Sequence, residues 1–247
     1  MILRSAVRTD VGLRRRANED SYAIAEDVGL YLVADGMGGH TAGKVASQLA
    51  SESAVRSLRS LGGEVVSLAE KLHFAVTASN REVFDESQAK PQLAGMGTTL
   101  VGLLAGGERI ALAHVGDSRA YLVRAGRIRQ LTDDHSLVAE LVRRREITEH
   151  AAHGHPHRHV LTRALGVRRS VEPDLVELTP EEEDRFVLCS DGLTGLVADD
   201  EIAEIAASGR DLDAACERLV ELANSRGGDD NITALIVLCE EVSDWDV

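Results

Sequence analysis

The order of apolar and turn segments predicts an α+β fold, in which strands and helices come in groups and do not alternate. Two observations carry this. Between residues 99 and 131 four apolar segments follow one another, joined only by Gly-Gly-Glu, Gly-Asp-Ser-Arg and Arg-Ala-Gly. Connections that short make neighbours antiparallel, because a parallel crossover needs about a dozen residues. Between residues 45 and 83, two long stretches of helical spacing adjoin with only Gly62-Gly63 between them.

Each element has its own signal. Residues 28–34 end in Leu-Tyr-Leu-Val-Ala, a short apolar run that reads as a strand. The loop from Asp35 to Gly43 follows, with a helical pattern beginning at Ala42. Val45, Leu49, Ala54, Leu58 and Leu61 fall near one face of a first helix, and Val65, Leu68, Leu72, Ala75, Val76 and Val83 near one face of a second. Strands are expected at 99–104, 110–115, 121–123 and 127–131. After a polar insert, two more are expected at 186–190 and 232–238. A helix at 212–223 stops before Gly227-Gly228, a plausible cap. Two antiparallel sheets packed together, with helices outside, would use these pieces, although the order alone leaves the layering open.

The 247 residues are 44% hydrophobic, enough to bury a core as one large domain or two small ones. No apolar run reaches the ~18 residues of a membrane span. The first residues, MILRSAVRTD, lack the apolar core of a secretory signal. Cys189, Cys216 and Cys239 are odd in number, far apart and without CxxC spacing, so reduced core thiols and a cytoplasmic location are expected. The net charge of −14 argues against a nucleic-acid partner. Phosphorylated proteins remain admissible, since a bound cation can reverse the field at one site.

Four aspartates stand at or beside the ends of apolar strands, three of them next to glycine: Asp35-Gly36, Gly116-Asp117, Asp191-Gly192 and Asp230-Asn231. A lone Asp-Gly is usually a turn. Four gathered carboxylates would repel unless cations lay between them, and oxygen donors favour Mg²⁺ or Mn²⁺ over zinc. Spacing leaves open whether the four converge.

The segments RANEDS (16–21), ADGMGGH (34–40), GTT (97–99), HVGDSR (114–119), HVLTRALG (159–166), SDGL (190–193) and DDNIT (229–233) occur in this order. Together they resemble the metal-dependent serine/threonine protein phosphatases of the type 2C (PPM) family, bacterial branch, from about residue 5 to 240. The resemblance implies a single catalytic domain over residues 1–247, a four-layer α-β-β-α sandwich with a flap insert at about 137–160, and two or three Mn²⁺ or Mg²⁺ ions in the channel between the sheets. It implies hydrolysis of phosphoserine and phosphothreonine by metal-activated water, without a covalent intermediate. Asp35 matches the bridging carboxylate and Gly36 the carbonyl ligand. Asp191 and Asp230 match further ligands of the first metal, Glu19 and Asp20 the acidic pair near the second, and Asp117 a ligand of a third. Arg15, four residues before Glu19, matches the phosphate-binding arginine. Arg15, Asp20 and Asp35 are thus expected to act in catalysis. The implied partners are phosphorylated targets of a bacterial serine/threonine kinase, met by a monomer.

Animal members carry a histidine directly after the Asp-Gly, where this chain has Met37, as bacterial relatives do. Proton delivery to the leaving group must then come from elsewhere, and His40 is expected to fix the loop. Other readings compete. Gly38–Val45 nearly fits a phosphate-binding P-loop with Lys44, but Val45 lacks the hydroxyl that holds Mg²⁺. A catalytically dead binding module would be expected to have lost ligands. HGHPHRH (153–159) could cluster histidines around zinc, or form a solvated loop. In the flap helix LVAELVRRREI (137–147), Leu137, Val138, Leu141, Val142 and Ile147 could dock on the sandwich. The opposite face would then offer Arg143, Arg144 and Arg145 to substrates.

Overall fold

The structure, a computed structural model, describes residues 1–62 and 66–240, with His40 and His153 described by their backbone alone. One sheet runs in the order β1 (Ile2–Asp10), β11 (Ile232–Glu240), β10 (Arg185–Cys189), β7 (Arg119–Arg124), β8 (Arg127–Gln130). The other runs β2 (Asp20–Ala25), β3 (Leu30–Met37), β5 (Leu100–Gly106), β6 (Arg109–Val115), β9 (Asp174–Leu178), with β4 (Gly97–Thr98) paired to β3. All neighbours are antiparallel.

Strand side chains alternate between two faces, and here both faces of the central strands are covered. Along β3, Leu30, Leu32 and Ala34 point to the helices α1 (His40–Leu61) and α2 (Leu68–Ala89). Tyr31 and Val33 point the other way, against Val101, Leu103, Leu112, Phe186 and Leu235 in the space between the sheets. The first sheet repeats the arrangement: Val187 and Ile236 meet α6 (Asp199–Ala207) and α7 (Leu212–Ser225) through Ile202, Cys216 and Leu219. Three apolar layers therefore separate four layers of secondary structure, and the predicted α-β-β-α sandwich is the fold.

The seven expected strands and the helix at 212–223 are present with small boundary shifts. Four strands went unforeseen: the two-residue β4, and β1, β2 and β9, which lie at sheet edges. Edge strands face water along one side; in β1 only Ala6 is fully buried, and charged residues interrupt the run. The first helix starts at His40, two residues earlier than expected. Gly63 and Val65 lie outside the described residues, and the second helix begins at Leu68 behind a Ser67–Glu70 capping box. The short α6 was also missed.

The insert between β8 and β9 contains α3 (Leu137–Arg143) and α4 (Glu149–His153), and leads on to α5 (Asp191–Thr194) after β10. Its base is closed by the Leu137 N–H donating to the Val160 carbonyl (2.8 Å) and by an isolated bridge from Ser136 to Leu161. No residue of α3 is fully buried; its apolar face docks shallowly. Arg145, just beyond α3, has φ +59° while the Arg145 and Glu146 N–H groups donate to Val142 and Leu141. No described helix is long and apolar enough to cross a membrane.

A left-handed backbone costs a side-chain-bearing residue about 1–2 kcal/mol. Arg145→Gly is expected to tighten the end of α3, slowing hydrogen exchange of the Arg144 and Glu146 amides about fivefold. Unchanged exchange would show that the turn is held from outside α3.

Candidate metal centre

The carboxylates come from the ends of strands in both sheets. Pairing of β2 with β3 sets Asp20 opposite Asp35. In the facing sheet, Asp191 follows β10 directly and Asp230 precedes β11, its neighbour. Asp117 sits in the turn that carries the chain from β6 in one sheet to β7 in the other. Arg15, Glu19, Asp35, Gly36, Asp117, Asp191 and Asp230 line one cleft of about 240 Å³. Asp20 is buried beside it, accepting hydrogen bonds from Ser190 (2.7 Å) and Thr233 (2.6 Å) on the same oxygen, Oδ2.

Backbone bracing fixes these positions. The Asp35 N–H donates to Thr99 Oγ1 (2.9 Å), and the Asp35 carbonyl accepts from the Thr99 N–H and the Thr98 hydroxyl (both 2.8 Å). Asn231 accepts from the Glu19 N–H (2.7 Å) and donates to the Val11 and Ala17 carbonyls (2.9 and 3.0 Å), fastening the loop that carries Arg15 to the strand end that carries Asp230. Glycine is required at two close approaches. A Cβ on Gly36 would stand 2.1 Å from the Gly43 carbonyl, and one on Gly43 only 2.0 Å from Glu19 Oε2. The first turn of α1 thus lies against the Glu19 carboxylate, which is the wrong sign of neighbour for a phosphate-cradling loop and counts against the P-loop reading.

The charges are badly balanced. Burial first, then Asp191 and Asp230, push the Asp20 carboxyl up to about 7 despite the hydrogen bonds from Thr233 and Ser190. Asp35 is held well above the ordinary carboxylate range by burial and by Asp20, Asp191, Asp117 and Asp230. Asp117 is raised likewise by burial, Asp191 and Asp134. Arg15 is the cation at this cluster; burial opposes its charge, but Asp230, hydrogen-bonded at 2.5 Å, raises its pKa. Asp20 Oδ1 and Asp191 Oδ1 are buried without a hydrogen-bond partner. Such atoms are costly to leave unmatched, and a divalent cation is the group that would match them. The all-oxygen donor set suits Mg²⁺ or Mn²⁺.

His159 was missed as a site residue. It lines the cleft with Nδ1 3.6 Å from Asp191 Oδ2, and its sequence signals were membership of the histidine-rich HGHPHRH segment and its place at the head of the HVLTRALG segment. The His40 side chain lies outside the described residues, as does that of His153. His155, half-buried, and His157, exposed, have ring centres 5.6 Å apart and join no metal-ligating group among the described residues. His114, His135 and Asp174 do bring ligand atoms within 4.8 Å of one another. Yet the Gly116 N–H donates to His135 Nδ1, which puts the ring proton on Nε2, facing Asp174. His114 Nε2 is engaged with the Asp133 carbonyl. These hydrogen bonds make the trio a bracket under the Asp117 turn, with the His135 lone pair already used.

The family described as Protein phosphatase 2C matches residues 9–232. A serine/threonine phosphatase stp of Listeria monocytogenes serotype 4b is 43% identical over 239 residues, covering 93% of each chain. The serine/threonine protein phosphatase PstP of Mycobacterium tuberculosis is 42% identical across 100% of this chain, which spans 46% of that longer protein. A crystal structure of the PstP catalytic domain in complex with two manganese ions superposes with a TM-score of 0.87 at 39% identity, covering 97% of this chain and 99% of that one.

A carboxyl whose folded pKa is raised stabilises the fold below its unfolded value and loses that contribution as pH rises through the folded value. For Asp20 this window runs from about 4 to about 7. Protein in excess chelator is therefore expected to be less resistant to urea at pH 8 than at pH 5, by a few kcal/mol. Asp20→Asn should flatten the difference, and Mn²⁺ should restore stability at pH 8. A metal-free protein equally stable at both pH values would contradict the charge account.

Proposed function

We infer the activity from one premise: this chain belongs to the protein phosphatase 2C family. It is a protein serine/threonine phosphatase, and the observation that carries the reading is the convergence of strand-end carboxylates from two sheets, two of whose buried oxygens have no partner. We propose that residues 1–247 form one catalytic domain, with residues about 137–160 as the flap that selects protein substrates.

Glu19, Asp35, the Gly36 carbonyl, Asp191 and Asp230 would hold two Mn²⁺ or Mg²⁺ ions, and Asp117 would help to hold a third. Bound cations would supply Lewis acidity, lowering the pKa of water and offsetting phosphoryl charge. Arg15, half-exposed at the cleft, presents a planar guanidinium suited to two phosphate oxygens. Asp20 would act in catalysis through Oδ1, the oxygen left without a hydrogen-bond partner, while Ser190 and Thr233 hold the other one. Thr99 and Asn231 keep Asp35 and Glu19 in register. A thiol nucleophile is unsupported: burial pushes Cys189, Cys216 and Cys239 each up to about 12. Those buried, unpaired thiols suit action in the cytoplasm, on phosphorylated targets of a serine/threonine kinase, by a monomer.

Purified protein is expected to hydrolyse phosphoserine and phosphothreonine peptides with Mn²⁺ or Mg²⁺ and to stop, reversibly, in chelator. Undiminished turnover in excess chelator would end the metal reading, and a folded protein that binds Mn²⁺ without turnover would mark it as a binding module. Asp35→Asn and Asp191→Asn should each lower kcat by roughly a hundredfold or more without unfolding the chain. Arg15→Ala should cut kcat/KM for phosphopeptides about tenfold while Mn²⁺ affinity stays within about twofold. Equal kcat/KM in variant and parent would reduce Arg15 to a surface residue paired with Asp230.

A further inference from the structure

Outside the metal cleft, the loop of residues 165–171 carries arginines without an ion pair among the described residues. Its start is pinned to the active-site floor: Leu165 bridges to Thr98, next to the threonine that braces Asp35. Val167, 51% exposed, lies so near Gly97 and Met37 that a Cβ on Gly97 would come within 3.0 Å of one and 2.7 Å of the other. The next turn is held from α2. Buried Asn80 accepts from the Gly166 N–H (2.9 Å) and donates to the Arg168 and Arg169 carbonyls (3.1 and 3.2 Å). With the backbone fixed, the Arg168 and Arg169 side chains are exposed and have no ion pair among the described residues. Beside them a groove of about 340 Å³ runs between α2 and this loop, walled by Phe74, Arg81, Arg169 and Val171. Phe74 is 43% exposed. Arg81 is shared with Asp85, and the acidic Glu172 farther along faces His73. A chain of net charge −14 thus keeps a cationic, part-aromatic groove on a loop whose start is packed against the active-site floor.

We propose that this groove docks an acidic segment of the phosphoprotein substrate, seating one apolar side chain on Phe74 and its carboxylates on Arg168 and Arg169. The inference rests on the phosphatase reading for its substrate, but binding can be measured without turnover. Arg168 and Arg169 have no ion pair among the described residues, and exposed guanidinium groups beside a half-exposed ring favour carboxylate-bearing partners.

The test uses the intact chain and a fluorescein-labelled, unphosphorylated peptide with one leucine flanked by glutamates, read by anisotropy. Arg168→Ala/Arg169→Ala and Phe74→Ala should each weaken binding at least about fivefold, with unchanged melting temperature. Raising salt from about 50 to about 200 mM should weaken the parent more than the double-arginine variant. In turnover, a phosphopeptide bearing the acidic segment should have a KM severalfold below that of the bare phosphopeptide, and the double variant should erase the gap at constant kcat. Turnover of p-nitrophenyl phosphate should not change. Equal binding by parent and variant, equal binding of a glutamine-for-glutamate peptide, or self-association of the chain through Phe74 would overturn the proposal. Arginine-dependent binding with no hydrolysis of any phosphopeptide would support the groove and count against the phosphatase reading, while normal hydrolysis without such binding would remove the groove alone.

Discussion

Repulsion among carboxylates gathered at the seam of two sheets is the constraint around which this protein is arranged. Asp20, Asp35, Asp117, Asp191 and Asp230 each raise the cost of ionising one or more of the others, and burial adds to that cost. A fold tolerates such an assembly only if the groups are held rigidly and a positive charge is available. Rigidity comes from placing the aspartates at strand ends or within two residues of them, where the paired strands fix the backbone. Arg15 supplies one positive charge, engaged with Asp230.

The neutral residues around the acids matter as much as the acids do. Thr98 and Thr99 grip Asp35 through its own peptide groups, Ser190 and Thr233 saturate one oxygen of Asp20, and Asn231 ties two distant segments together. Preorganisation of this kind lets electrostatic elements act without rearrangement.

Much of this was legible in the sequence. Central strands such as Ile232–Glu240 announce themselves because both faces are buried, so nearly every position is apolar. The edge strands β1, β2 and β9 were silent for the converse reason. The aspartates could be named from their place beside apolar runs and glycines, and the ordered motifs supplied roles that spacing could not. His159 was hidden because its approach to Asp191 depends on how the flap folds back, a tertiary contact with no periodicity behind it. Nothing in the run Arg143–Arg145 singles out Arg145, whose left-handed backbone appears only in the folded turn.

One feature of the topology reaches beyond the site. The chain crosses from β6 in one sheet to β7 in the other through the turn that bears Asp117, while Asp35 and Asp191 end strands on opposite sides of the middle apolar layer. The donor atoms are therefore mounted on two walls whose separation is set by Leu103, Leu112, Phe186 and Leu235. Cations tolerate only a narrow range of donor distances. Thinning or swelling that middle layer by a single methylene would change the span across which the ligands must reach. Affinity for a divalent cation would then be a calliper reading of how tightly the two sheets are clasped.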